Sequence, residues 1–222
     1  MQDLTTGSLT RHLLKTTSFM LVTMLFQTLY VLVDLYGVGR LGTEAVAAVG
    51  LSGNLMFVVL AATQMLAVGT TTLISHAVGR KDREGATRVF NQSQVLALLV
   101  GLLFFAATMA TRSTYARLMS ADALTMRLAD EYLAWMIPAM GLQFALIAMG
   151  AGLRGTGNFQ PGMVVQTATV VINIVLAPFL IFGWGTGIVL GVAGAAIASF
   201  VAILVGVAWM VVYFVPADSY LK

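Results

Sequence analysis

The chain has 222 residues, of which 59% are hydrophobic and only 9% charged, with a mean hydropathy of +0.92 and a formal charge of +3. A soluble domain carries about 25% charged residues, so this composition excludes an ordinary water-soluble fold and describes an integral membrane protein. The absence of cysteine excludes disulfides and thiolate metal or redox sites, and the small positive charge reads as a topology signal, not as a nucleic-acid footprint.

Charge-free stretches run over 16–33, 45–75, 89–111, 132–153 and 155–217, and about 20 apolar residues cross a bilayer as a helix. The last stretch holds two helices, because Gly183-Trp184-Gly185-Thr186-Gly187 divides it. The expected fold is all-α, a six-helix transmembrane bundle over 16–214, with spans at about 16–39, 51–75, 89–111, 130–152, 163–183 and 188–214. Residues 1–15 form an N-terminal segment, 43–50 an interfacial lead-in to the second span, and 215–222 a tail or the start of a linker to a missing second half.

The first span follows a basic start, as a signal peptide does, but its apolar run exceeds the usual h-region of roughly 7 to 15 residues and five further spans follow. It reads as a retained helix. On it Gln27, Tyr30 and Asp34 fall at i, i+3 and i+7 and share one face, which Thr23 extends. Met24 lies one turn from Gln27 and is a candidate for a soft, re-packable binding surface. Asn, Gln and Thr inside a membrane serve as interhelical glue, at under about 1 kcal/mol a pair. Asp34 is different, because an ionised carboxylate in lipid costs at least several kcal/mol and Asn would serve equally well as glue. Its protonation responds to burial in one direction and to hydrogen bonding in the other, so proton uptake and release needs no metal.

Between the second and third spans, Gly79-Arg80-Lys81-Asp82-Arg83-Glu84 is a charged loop bordered by His76, which together with His12 completes the histidines. Neither has metal-ligand company. Asn91-Gln92-Ser93 fits a glycosylation pattern but falls on the expected cytoplasmic side. In the fourth span Gly150-Ala151-Gly152-Leu153-Arg154-Gly155 matches G-x-G-x-x-G, yet it closes an apolar helix and follows no strand, so no dinucleotide site is implied.

The fifth span repeats the polar stripe of the first, with Gln166, Thr169 and Asn173 at i, i+3 and i+7. Two such stripes point to two helices facing one hydrated space. Counted from the expected boundaries, Asp34 and Asn173 differ in height by roughly 8 Å at 1.5 Å per residue, a gap that water or a cation could bridge. Towards the sixth span, Gly183, Gly187 and Gly191 have small-xxx-small spacing but straddle a turn, which they are expected to shape.

Orientation follows from the basic residues, of which 8 (Arg11, Lys15, Arg80, Lys81, Arg83, Arg88, Arg154 and Lys222) lie on one side and 4 (Arg40, Arg112, Arg117 and Arg127) on the other. The excess stays in the cytoplasm, so both termini are expected there. No H-E-x-x-H, G-x-S-x-G or P-loop occurs, and no acid, base or nucleophile pair points to an enzyme.

Several segments resemble the multidrug and toxic compound extrusion (MATE) transporters. Leu32-Val33-Asp34-Leu35-Tyr36-Gly37-Val38-Gly39-Arg40 is similar to the end of that family's first helix, and Gly69-Thr70-Thr71-Thr72 through Gly79-Arg80 to its second-helix exit. Arg154-Gly155-Thr156-Gly157-Asn158 with Pro161, Asn173-Ile174-Val175-Leu176, and Leu190-Gly191-Val192-Ala193-Gly194 are similar to its fourth to sixth helices. The resemblance implies an antiporter that exports organic, often cationic and hydrophobic compounds by alternating access, in a bacterial inner membrane. It implies Asp34 as the coupling residue and Asn173 as its companion, with no cofactor beyond the coupling ion, H+ or Na+. Ala177 stands where many members carry a second Asp, which favours the proton, and no proline lies between Lys15 and Asp34 to bend the first helix.

The family has twelve spans in two six-helix halves related about the membrane normal, and this chain resembles the N-terminal half. The expected partners are membrane lipid, a small organic substrate, and a missing C-terminal half or a second copy; no nucleic acid is expected. The end at Ser219-Tyr220-Leu221-Lys222, soon after the sixth span, favours truncation. The alternatives are a non-transporting membrane assembly module and an exporter of an amphipathic or lipid-linked metabolite.

Overall fold

In lipid, every backbone N–H and C=O needs a partner within the protein, which for a chain without strand patterning leaves helices. The computed structural model describes residues 9–184, 187 and 189–214, without the side chains of residues 9–13, 15, 16, 19, 20, 23, 26 and 27. Its elements are α1 (Leu9–Gly39), α2 (Thr43–Gly79), α3 (Arg83–Met119), α4 (Ala123–Gly155), α5 (Gln160–Phe182) and α6 (Gly191–Phe214). Five of the described helices are long and apolar enough to span a bilayer, and the fully described part of α1, Thr28–Gly39, is an apolar helix as well. The tail at 215–222 lies outside the described residues, as does most of the segment 1–15; α1 already begins at Leu9.

Several helices outrun the expected spans. At 37 residues each, α2 and α3 are roughly 55 Å long at 1.5 Å per residue, against a hydrocarbon core of about 30 Å. Residues 43–50 are thus the first turns of α2 itself. The ends are built by local chemistry. Asp82 caps α3 by accepting from the Gly85 N–H at 2.8 Å, and Asp122 caps α4 by accepting from the Thr125 N–H at 2.8 Å and the Thr125 hydroxyl at 2.7 Å. Those Thr125 bonds hold the Asp122 carboxyl below its ordinary pKa, the backbone bond contributing most. In the α5–α6 connection Gly183, Gly187 and Gly191 have φ of 70°, 70° and 55°, left-handed values that only glycine adopts freely. These glycines shape the turn, as their spacing led us to expect.

The bundle is organised around α4, which packs against α2, α3 and α6, while α1 leans chiefly on α5 and touches α2 much less. Tyr132, Met136, Met140, Phe144 and Ala148 of α4 supply the centre of the main core. Polar links supplement the packing. Thr71 and Ser75 of α2 donate to the Ala151 and Gly155 carbonyls of α4, and the Arg112 guanidinium of α3 makes a bidentate pair with Asp130 of α4 at 2.9 and 3.1 Å. Helices α5 and α6 meet through glycine. A Cβ at Gly194 would stand 2.5 Å from the Leu180 carbonyl oxygen, and one at Gly206 would collide with Thr169 Cγ2. Such close approach of small residues is how membrane helices gain packing energy without a hydrophobic driving force.

Candidate functional site

Because α1 packs on α5 and α5 on α6, polar groups from three helices converge. Tyr30 and Asp34 sit one turn apart on α1, Thr169 and Asn173 one turn apart on α5, and Ser199 midway along α6. The Asn173 amide donates to Ser199 Oγ at 2.8 Å, and the Tyr30 hydroxyl shares a hydrogen bond with the same oxygen at 3.3 Å. Both Asn173 and Ser199 are buried. Arg40, stacked over the Phe182 ring at 5.5 Å, secures the end of α1 against the end of α5.

Asp34 adjoins this chain but is not bonded into it. Its Oδ1 is buried and has no hydrogen-bond partner among the described residues, although buried polar atoms are nearly always satisfied. The phenol of Tyr132, from the first third of α4, is buried within electrostatic reach of both Asp34 and Tyr30. Ser52 of α2 lies beside Tyr132 and donates to the Val49 carbonyl at 2.6 Å. The arrangement places one ionisable acid at a junction of α1, α4, α5 and α6, next to hydroxyl groups that can both donate and accept.

A cavity of about 170 Å3 opens along this junction. Tyr30, Asn173 and Ser199 line one end; Gln143, Gln166 and Thr169 line its flank; Arg154 lines the other end. Between them the wall is apolar, with Met56, Met136, Ile147 and Met210. This mixture of an apolar wall and a few convergent polar groups is the usual make-up of a small-molecule site.

The residues singled out by sequence are distributed as follows. Tyr30, Gln166, Thr169 and Asn173 line the cavity, and Asp34 stands just outside its lining. The Asn173 amide bonds Ser199 instead of Asp34. Met24 is 65% exposed and lies outside the cavity, its carbonyl accepting from Thr28. The side chains of Gln27 and Thr23 lie outside those described. Sequence reasoning missed Ser199, Tyr132, Gln143 and the inward side chain of Arg154. Ser199 and Gln143 each gave a signal, a lone polar residue in an apolar run.

Comparison with known proteins adds the following. The MatE family model matches residues 20–179. The chain is 29% identical over 195 residues to the probable multidrug resistance protein YoeA of Bacillus subtilis, covering 87% of this chain and 42% of that protein. It is 28% identical over 178 residues to a protein of Shewanella oneidensis named FAD transporter, covering 78% of this chain and 38% of the relative. Its fold matches the outward-facing conformation of a multidrug resistance MATE family transporter of the MOP superfamily with a TM-score of 0.84 and 31% identity, covering 91% of this chain and 44% of that one. The chain therefore spans less than half the length of the proteins it matches.

Proposed function

The chain belongs to the MatE family, a family of transporters and not of enzymes, and from that premise we propose that it supplies six helices of a secondary exporter of organic compounds driven by inward proton flow. The observation that carries this reading is the buried Oδ1 of Asp34, unpartnered among the described residues, beside the Tyr30–Ser199–Asn173 chain. Burying an ionised carboxylate is expensive, and one bound proton removes the charge. A transporter whose two states expose Asp34 differently would therefore couple their populations to proton binding.

Ala177 supports the proton over sodium. It is buried one turn beyond Asn173 and presents a methyl group at the position where the family resemblance implies a second Asp in many members. Alternating access between two bundles needs a second six-helix unit, another copy or another segment, in line with coverage of less than half of the relatives. The distribution of basic residues supports both termini on the cytoplasmic side, and an inner membrane is what membership of the family implies. The names of the relatives, for multidrug resistance and for FAD, support organic cargo of varied structure.

The test is transport in proteoliposomes holding this chain, alone and with a candidate second bundle, under imposed proton or sodium gradients, beside Asp34→Asn. Export that follows the proton gradient and vanishes in the variant is the expected result. Undiminished export by Asp34→Asn would refute the assignment.

A further inference from the structure

Arg154 is, among the described residues, the one charged side chain lining the cavity. A basic residue in the last turn of a helix complements the helix dipole, and that role alone would place its guanidinium by the terminal carbonyls of α4. Instead the side chain turns back along the helix. Its Nη1 would be 3.4 Å from a Cβ built at Gly150, one turn earlier, and Gly150 is itself part of the cavity wall. Among the described residues no carboxylate pairs with Arg154, whereas Arg88, Arg112 and Arg127 are paired with Glu84, Asp130 and Glu131. No acidic side chain among the described residues lines the cavity to attract a cation, Asp34 standing outside its lining.

We propose that the cavity takes an amphipathic organic anion, with a carboxylate or phosphate oxyanion seated on Arg154 and an apolar body along Met56, Met136, Ile147 and Met210. This deepens the exporter reading and rests on it. A planar guanidinium offers paired donors matched to an oxyanion. The Gln143 and Gln166 amides on the flank supply further donors. At about 170 Å3 the cavity is smaller than the roughly 300–1,000 Å3 of a drug-sized site, so it holds the acidic end and the adjoining part of the apolar body while the remainder of the cargo extends beyond it. The site thereby separates two charges by role, Arg154 for the cargo and Asp34 for the coupling ion.

The experiment uses the full chain in phosphatidylcholine nanodiscs and three dansyl probes with the same alkyl chain, ending in a carboxylate, a methyl ester or a trimethylammonium group. The carboxylate probe is expected to bind at least about tenfold more tightly than the ester, the gain of a charge-assisted hydrogen bond. Arg154→Gln should abolish that difference and Arg154→Lys retain part of it, with thermal unfolding checking that each variant is folded. Trimethylammonium binding as tight as the carboxylate, unaffected by Arg154→Gln, would overturn the proposal while leaving the exporter reading intact. Displacement of the carboxylate probe by added phosphatidylglycerol, lost in Arg154→Gln, would support the oxyanion seat and assign it to a lipid headgroup, whereas indifference to the lipid would assign it to a soluble organic anion. Failure of every probe to bind would overturn both the cargo site and this inference. Retained carboxylate preference without proton-driven export would instead sink the coupling assignment alone.

Discussion

Ser199 on α6 accepts a 2.8 Å hydrogen bond from the Asn173 amide on α5, so the companion that the family resemblance implies for Asp34 is held by a neighbouring hydroxyl. Because the Tyr30 hydroxyl meets the same oxygen, one serine joins three helices. Its removal strands two polar groups at once.

Ser199→Ala should therefore destabilise the chain by about 1–3 kcal/mol, the usual cost of leaving buried polar groups without partners. Thermal unfolding in detergent reads this directly. A double-mutant cycle of Ser199→Ala with Asn173→Leu should show coupling of at least about 0.5 kcal/mol, and strict additivity would show that the bond contributes nothing.

Asp34→Asn should unfold at or slightly above the wild-type temperature, because the carboxylate has no partner on its buried Oδ1 among the described residues to lose. Proton-driven transport should be absent in the same preparation. A loss of several degrees in Tm would instead identify Asp34 as a structural anchor.

At the α5–α6 seam, Gly194→Val should be among the most damaging substitutions. Its Cβ would meet the Leu180 carbonyl oxygen and carbon at 2.5 and 2.6 Å, and backbone cannot yield as a flexible side chain can. Overpacking of this kind costs about 1–3 kcal/mol or more. Gly53→Ala, where a Cβ has no neighbour within 4 Å, is the matched control and should be neutral or stabilising.

The cap at the start of α4 gives a pH dependence with a definite sign. The Thr125 backbone and hydroxyl bonds hold the Asp122 carboxyl below its ordinary value in the folded chain. Its contribution is therefore complete above the unfolded carboxyl pKa of about 3.9 and is lost as pH falls through the lower folded value. Asp122→Asn retains a capping oxygen and should flatten that acid limb of the stability curve. An unchanged limb in melts from pH 6 down to about 3 would exclude Asp122 as its source.

The number of helices could be read from charge-free length, because a bilayer penalises charge over a fixed thickness. That measure reports where hydrocarbon lies and not where helical hydrogen bonding stops, which explains why α2, α3 and α4 continue past 51–75, 89–111 and 130–152. The polar stripes of α1 and α5 were legible for a related reason: periodicity assigns residues to a face of one helix. It says nothing about which residue of another helix stands opposite. Ser199 lies 26 positions from Asn173, and only the α5–α6 seam brings them together. The direction of the Arg154 side chain was hidden as well. A loop-by-loop charge tally treats an arginine as a topology marker whether it faces headgroups or a cavity.

The sequence distance closed by the Tyr30–Ser199 contact is 169 residues. A ribosome adding about 5–20 residues per second delivers Ser199 on the order of ten to thirty seconds after Tyr30. Helix α1 thus enters the bilayer long before α5 and α6 exist to receive it. During that interval the growing chain must keep an acidic side chain in the membrane without its final surroundings, through bound water, a proton or the insertion machinery. Assembly of the bundle thus places a demand of its own on the acid at position 34.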